Sequence, residues 1–122
     1  MARVLIVEDN AALQKIYVTL LTKEGYDVDF ASDGRVALEK AEKRPPDLIL
    51  LDMMMPNLDG VGFLRAYDLQ GKHPGVKVVV FSNTEVPGKV KEALELGASR
   101  YMTKYNFTPK DMVGLIRDML KA

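Results

Sequence analysis

The sequence contains no cysteine, which removes a disulfide framework, a thiolate metal site and a cysteine nucleophile together. It fits a reducing, cytoplasmic setting. There is no excess of either charge, since 17 Lys and Arg face 17 Asp and Glu. A balanced chain gives no electrostatic case for direct contact with nucleic acid or an anionic membrane. No apolar run approaches the roughly 18 residues of a membrane helix. The N-terminal run Val4–Val7 is also too short for a signal peptide. Internal repeats, low-complexity tracts and interdomain linkers are absent, and Gly71–Gly75 reads only as a loop between a helix and a strand.

What remains is a chain of 122 residues, 48% hydrophobic and 28% charged, the size and composition of one folded domain. Strand-like and helix-like patterns alternate along it. Val4–Val7, Leu48–Leu51 and Val76–Phe81 are apolar enough to be strands buried on both faces. Tyr26–Phe30 alternates apolar and acidic residues, which suits a sheet edge, and a short strand is expected around Tyr101–Thr103. Between them, Leu13, Ile16, Tyr17, Leu20 and Leu21 keep the spacing of one helical face, as do Val86, Val90, Ala93 and Leu94. Gly25 and Gly97 are placed to end helices. Ser32 or Asp33, Asp59, and Thr108 ahead of Pro109 are placed to begin them. Pro45-Pro46 stops the second helix, and Pro56 and Gly60 bracket a turn.

Five strands and five helices in strict alternation call for a parallel sheet with helices on both faces. Right-handed crossovers and the lone amphipathic second strand predict a flavodoxin-like, doubly wound sheet of order 2-1-3-4-5. Sites in such sheets form beyond the carboxyl ends of the strands. Strand one ends at Glu8-Asp9, strand three at Asp52, strand four at Ser82 and strand five at Lys104. Singly, each residue is more often a cap, a turn or a solvated charge. Jointly they bring carboxylates, a hydroxyl and an ammonium to one edge. Clustered carboxylates resist ionising together, and a divalent cation relieves them. Oxygen ligands with open positions suit Mg2+, and Lys104 and Ser82 suit an anionic group. The pattern describes phosphoryl transfer to a carboxylate.

On these residues the chain resembles the receiver domain of bacterial response regulators in two-component signalling. The resemblance runs from Val4 to Leu120. It is carried by Val-Leu-Ile-Val-Glu8-Asp9, by Pro46-Asp47-Leu-Ile-Leu-Leu-Asp52-Met-Met-Met-Pro56-Asn-Leu-Asp59-Gly60, by Val-Val-Val-Phe-Ser82, and by Gly97-Ala98-Ser-Arg-Tyr101-Met-Thr-Lys104. It implies a single receiver domain over residues 1–122, with no output domain among them. It also implies a signalling switch rather than an enzyme.

Asp52 is then the phosphoacceptor, and Lys104 the partner of the phosphoryl group. Asp9, Asp52 and the backbone carbonyl of Met54 ligate Mg2+ (or Mn2+), with Glu8 acting through water. Ser82 moves toward the phosphoryl group and Tyr101 is the switch aromatic, although Tyr101 reads equally as an aromatic packing on a neighbouring helix. The implied donor is a histidine kinase or phosphotransfer protein. The implied receiver of the signal is a protein target or an effector domain, reached through the fourth helix, fifth strand and fifth helix, with Lys89, Glu92, Tyr101 and Lys110 on that surface. The loop Asn83–Gly88 is expected to follow Ser82. His73, in a loop, reads as solvated.

Three positions depart from the family pattern. Tyr105 follows Lys104 where a cis proline is common, and a trans bond is expected because a cis bond without proline costs ~2.5–4 kcal/mol. Asn83 replaces a very small residue, and Met54 has no polar side chain to orient water. Two other readings compete. One is a degenerate receiver serving as a constitutive binding module. The other is a flavodoxin-like cofactor or hydrolytic enzyme, which Asn10-Ala11-Ala12 in place of a glycine loop and the lack of a nucleophile elbow argue against.

Overall fold

Only a strand covered on both faces can bury every residue of an unbroken apolar run. Val4–Val7, Leu48–Leu51 and Val78–Phe81 do so, each residue being 0–2% exposed, and they form the centre of the sheet. The computed structural model describes residues 2–55, 57–82, 87–104 and 107–121. Its strands are β1 (Arg3–Val7), β2 (Asp27–Ala31), β3 (Leu48–Asp52), β4 (Lys77–Ser82) and β5 (Arg100–Thr103). All pair in parallel, in the order β2-β1-β3-β4-β5, so the expected flavodoxin-like doubly wound topology is present. The amphipathic strand β2 is at the edge, and its acids are used there. Arg3 bridges Asp27 and Asp29 at 3.1 and 3.2 Å, and Lys40 pairs with Asp29 at 3.1 Å.

The helices are α1 (Ala11–Lys23), α2 (Gly34–Lys43), α3 (Gly60–Tyr67), α4 (Leu69–Lys72), α5 (Pro87–Glu95) and α6 (Pro109–Lys121). Alternation along each strand divides the core. Val4, Ile6, Leu48, Leu50, Val79 and Phe81 meet Tyr17 and Leu21 of α1 and Met112 and Ile116 of α6. Leu5, Val7, Ile49, Leu51, Val78 and Val80 meet α2, α3 and α5 through Ala37, Ala41, Phe63, Leu64, Tyr67 and Ala93.

The expected caps are made. Asp33 Oδ1 accepts from Val36 N, and Asp59 Oδ1 from Gly62 N. Thr108 and Asp111 cap each other's backbone N–H at the start of α6. Gly25 (φ 93°) and Gly97 (φ 106°) take the left-handed conformation that ends α1 and α5.

Four expectations need correction. A sixth helix, the single turn α4, begins after Asp68 (φ 52°) and takes in Gly71 and Lys72, which the sequence pattern assigned to a loop. The expected fourth and fifth helices are therefore α5 and α6. His73 is half-buried rather than solvated, because its ring stacks on Tyr67 with centroids 3.9 Å apart. Ile16 and Leu94, expected on buried helical faces, are 44% and 45% exposed. The buried stripe of α1 keeps Tyr17 and Leu21 of the expected face and adds Gln14. The expectations for Pro56, Asn83, Thr84, Val86, Tyr105 and the Lys104–Tyr105 bond lie outside the described residues.

Candidate functional site

The alternation that divides the core also decides which polar side chains meet. Asp52 pairs in register with Phe81, so it shares that ring's face. Glu8 continues the series Val4, Ile6, and Lys104 continues from Met102, which packs on the same face. Ser82 pairs with Thr103 on the opposite face. Glu8, Asp52 and Lys104 therefore converge. Lys104 Nζ stands 3.0 Å from Glu8 Oε1 and 3.4 Å from Asp52 Oδ2, and 4.8 Å from the centre of the Phe81 ring. Glu8 is fully buried and Asp52 is 3% exposed, while Asp9 is exposed.

These side chains face an open cavity of about 440 Å³ lined by Glu8, Asp9, Asn10, Leu13, Asp52, Met54 and Lys104. Glu8, Asp9 and Asp52 can each offer an oxygen within 4.8 Å of the others. Three carboxylates against one ammonium leave negative charge uncompensated, which is the condition a divalent cation satisfies. The conflict is visible in Glu8. Its carboxyl is pushed up to about 8, first by burial and then by the neighbouring Asp52, against the lowering influence of Lys104.

Backbone bonds fix the frame. Gly60 N donates to Met53 O at 3.0 Å, folding the segment after β3 back on itself. A Cβ on Gly60 would lie 3.0 Å from Met53 Cα, so a larger residue there would push on the segment that follows Asp52. Met54 N donates to Asp52 Oδ1 at 3.2 Å.

Ser82 is buried, 2% exposed. It joins the site through its backbone: its carbonyl accepts from Lys104 N at 2.7 Å. It is not among the described cavity-lining residues. Tyr101 is half-buried and packs against the cluster that includes Ala93 and Ala98. On the surface expected to carry a signal, Lys89 reaches Asp59 at 3.4 Å and Glu92 reaches Arg65 at 3.2 Å, so α5 is tied to α3. Lys110 is exposed at the start of α6.

The sequence reading missed one participant. Gln14, on the buried stripe of α1, donates through Nε2 to Glu8 O at 2.9 Å, Ala31 O at 3.2 Å and Ser32 Oγ at 3.3 Å. It joins the ends of β1 and β2 and holds the backbone that presents Glu8 and Asp9. Its signal was present, since a glutamine on the same helical stripe as Tyr17 and Leu21 has to find buried partners.

The class these features define is a doubly wound α/β domain with an acidic, lysine-closed pocket beyond the carboxyl ends of its strands. A comparison with known proteins gives that class its family. The family model "Response regulator receiver domain" matches residues 4–117, and the chain belongs to that family. Among curated relatives, the alkaline phosphatase synthesis transcriptional regulatory protein PhoP of Bacillus subtilis is 35% identical over 119 residues, covering 98% of this chain and 48% of that protein. The chain thus spans about half the length of the curated relatives it matches. Among solved structures, the chemotaxis protein CheY4 of Vibrio cholerae superposes with a TM-score of 0.86 at 30% identity, covering 97% of this chain and 98% of that one. A CheY-like receiver domain protein of Methanospirillum hungatei gives a TM-score of 0.91 at 27% identity, covering 99% of this chain and 94% of that one. No helix among the described residues is long and apolar enough to cross a membrane.

Proposed function

We propose that this receiver domain accepts a phosphoryl group on Asp52 from the phosphohistidine of a histidine kinase or phosphotransfer protein. The observation that carries the reading is the sharing of one cavity by the carboxylates of Glu8, Asp9 and Asp52 and the ammonium of Lys104. An Asp52 oxygen attacks phosphorus, the bond from phosphorus to the donor nitrogen breaks, and that nitrogen leaves with the imidazole. Lys104 neutralises charge on the transferred oxygens. Glu8, Asp9, Asp52 and the Met54 carbonyl would hold Mg2+ (or Mn2+), which supplies further charge neutralisation at the phosphoryl oxygens.

Acceptance puts about two negative charges where one carboxylate stood. Lys104 turns from Glu8 toward them, Ser82 follows through its backbone link to Lys104, and Tyr101 repacks. The ion pairs that tie α5 to α3 join exposed side chains, and such pairs contribute only ~0–1 kcal/mol, so α5 moves at small cost. The surface of α5, β5 and α6 carries the signal to a protein target or effector domain.

The direct test is beryllofluoride, which mimics an aspartyl phosphate. With Mg2+ it should raise the melting temperature and shift backbone amide signals at Met54 and Lys104. No change under any metal condition would sink the reading.

Gln14 yields a second expectation. Gln14→Leu frees the Glu8 carbonyl and should weaken Mg2+ binding by ~10–100-fold, the usual effect of losing a partner behind a ligand. Titration calorimetry of the folded variant measures it.

The Glu8 carboxyl gives a pH dependence with a definite sign. Its folded-state value, about 8, lies above the ordinary 4.5. The metal-free fold therefore keeps a proton that the unfolded chain has released. Glu8's contribution to stability is fully present below pH 4.5 and is lost as pH rises to about 8. A cation must displace the same proton, so Mg2+ affinity should fall as pH drops below about 8, by up to about tenfold per unit. Proton release on Mg2+ binding at neutral pH checks this, and Glu8→Gln should abolish it.

A further inference from the structure

The chain has seven methionines, three of them consecutive immediately after β3. Their surroundings differ sharply. Met53 is 3% exposed and Met112 1% exposed. Met55, Met102 and Met119 are half-buried against the two core clusters. Met54 is 64% exposed and is the one methionine among the exposed large hydrophobic residues described. Its place is also unusual, because it lines the acidic cavity and its own N–H donates to the acceptor carboxylate. An unbranched apolar side chain left in water at that point contributes little to the core.

We propose that Met54 is a peroxide-sensitive modification site, at which oxidation of the thioether to the sulfoxide slows phosphoryl uptake at Asp52. The proposal rests on Asp52 being the phosphoacceptor. A sulfur lone pair attacks one oxygen of hydrogen peroxide or an alkyl hydroperoxide. The S–O bond forms, the O–O bond breaks, and the departing oxygen takes up a proton as water or alcohol. The thioether loses two electrons and the peroxide gains them. Solvent access favours Met54 over the shielded methionines.

The product is polar and only accepts hydrogen bonds. It adds the negative end of a dipole to a cavity where the carboxylates of Glu8, Asp9 and Asp52 already outnumber the Lys104 ammonium. An incoming anionic phosphoryl group therefore meets more repulsion. A dipole of this kind is comparable to one hydrogen bond, so uptake should slow by ~3–10-fold. Sulfoxide reduction restores the thioether, which makes the device reversible.

The test has two independent readouts. First, the chain is exposed to graded hydrogen peroxide and its peptides are mapped by mass spectrometry. Met54 should gain oxygen before any other described methionine. Oxidation of Met53, Met55, Met102, Met112 or Met119 ahead of it overturns the proposal. Second, phosphoryl uptake from acetyl phosphate with Mg2+ is timed before and after oxidation, and again after treatment with methionine sulfoxide reductase and a thiol. Within the native chain, the oxidised-to-reduced rate ratio should fall by ~3–10-fold and recover on reduction. Within Met54→Leu, treated identically, the ratio should stay near one. An unchanged native ratio after complete Met54 oxidation overturns the proposal, as does an equal fall in Met54→Leu. A native chain that oxidises first at Met54 but takes up no phosphoryl group in either state overturns it through Asp52, not through the methionine.

Discussion

Lys104→Met should slow phosphoryl uptake at Asp52 by ~10²–10³-fold, the usual effect of removing one preorganised charge-stabilising group. Methionine keeps a flexible apolar stem against Phe81, over whose ring the lysine ammonium sits at 4.8 Å, and removes the charge together with its hydrogen bonds to Glu8 and Asp52. The fold should survive. Glu8 already favours its protonated form in this setting, and losing the nearby ammonium pushes it further that way, so a buried unpaired charge is avoided.

Cation binding should move in the opposite direction. The ammonium stands 3.0 Å from Glu8 and 3.4 Å from Asp52, where it repels a second cation. Above the Glu8 titration, Lys104→Met should bind Mg2+ several-fold more tightly than the native chain. Slower uptake with tighter Mg2+ is a combination that a merely unfolded or distorted site cannot produce. Stopped-flow uptake from acetyl phosphate and calorimetric Mg2+ titration measure the two arms.

The second large effect lies away from the site. Tyr67 is fully buried between Phe63, with centroids 5.4 Å apart, and His73, at 3.9 Å. Its hydroxyl donates to Ala41 O at 3.2 Å, tying α3 to α2. Burial pushes the phenol up to about 12, so it remains a donor across the ordinary pH range. Tyr67→Ala leaves a ring-sized cavity and should cost ~3–5 kcal/mol. That is a large part of the 5–15 kcal/mol that holds a typical domain, and it should lower the melting temperature by roughly 10–25 °C. Tyr67→Phe keeps the stack and loses only the hydroxyl, for ~1–2 kcal/mol. Urea melts of the two variants separate packing from hydrogen bonding. Both should retain Mg2+ affinity below the transition, because Tyr67 sits on the α2–α3 face, across the sheet from Glu8 and Asp52.

Most of the sheet was legible because its strands are extreme. Val4–Val7 and Leu48–Leu51 have no polar residue to place outside, so burial on both faces was the only solution, and the acids of Asp27 and Asp29 marked the edge. The site was legible for a related reason. Glu8 and Asp52 close apolar runs and Lys104 follows β5, all on the same side of the pleat, and a parallel sheet aligns those ends. Three features were hidden. Gln14 acts through backbone carbonyls, and those become neighbours only once β1 and β2 pair. His73 looked solvated because nothing local announces the Tyr67 ring that covers it. The turn α4 depends on Asp68 adopting a left-handed conformation that apolar spacing does not encode. Ser82 is a subtler case. Its position at a strand end was correct, but its parity turns it to the far face from Asp52, which only the register with Thr103 reveals.

Intact mass decides whether Asp52 is the residue that accepts the phosphoryl group. The native chain and Asp52→Asn are incubated with acetyl phosphate and Mg2+, and the modified peptide is sequenced by mass spectrometry. The native chain should gain one phosphoryl group, carried by Asp52 and dependent on Mg2+, and Asp52→Asn should gain none. A phosphoryl group that persists in Asp52→Asn, or maps to another residue of the native chain, would contradict the assignment of Asp52 as acceptor.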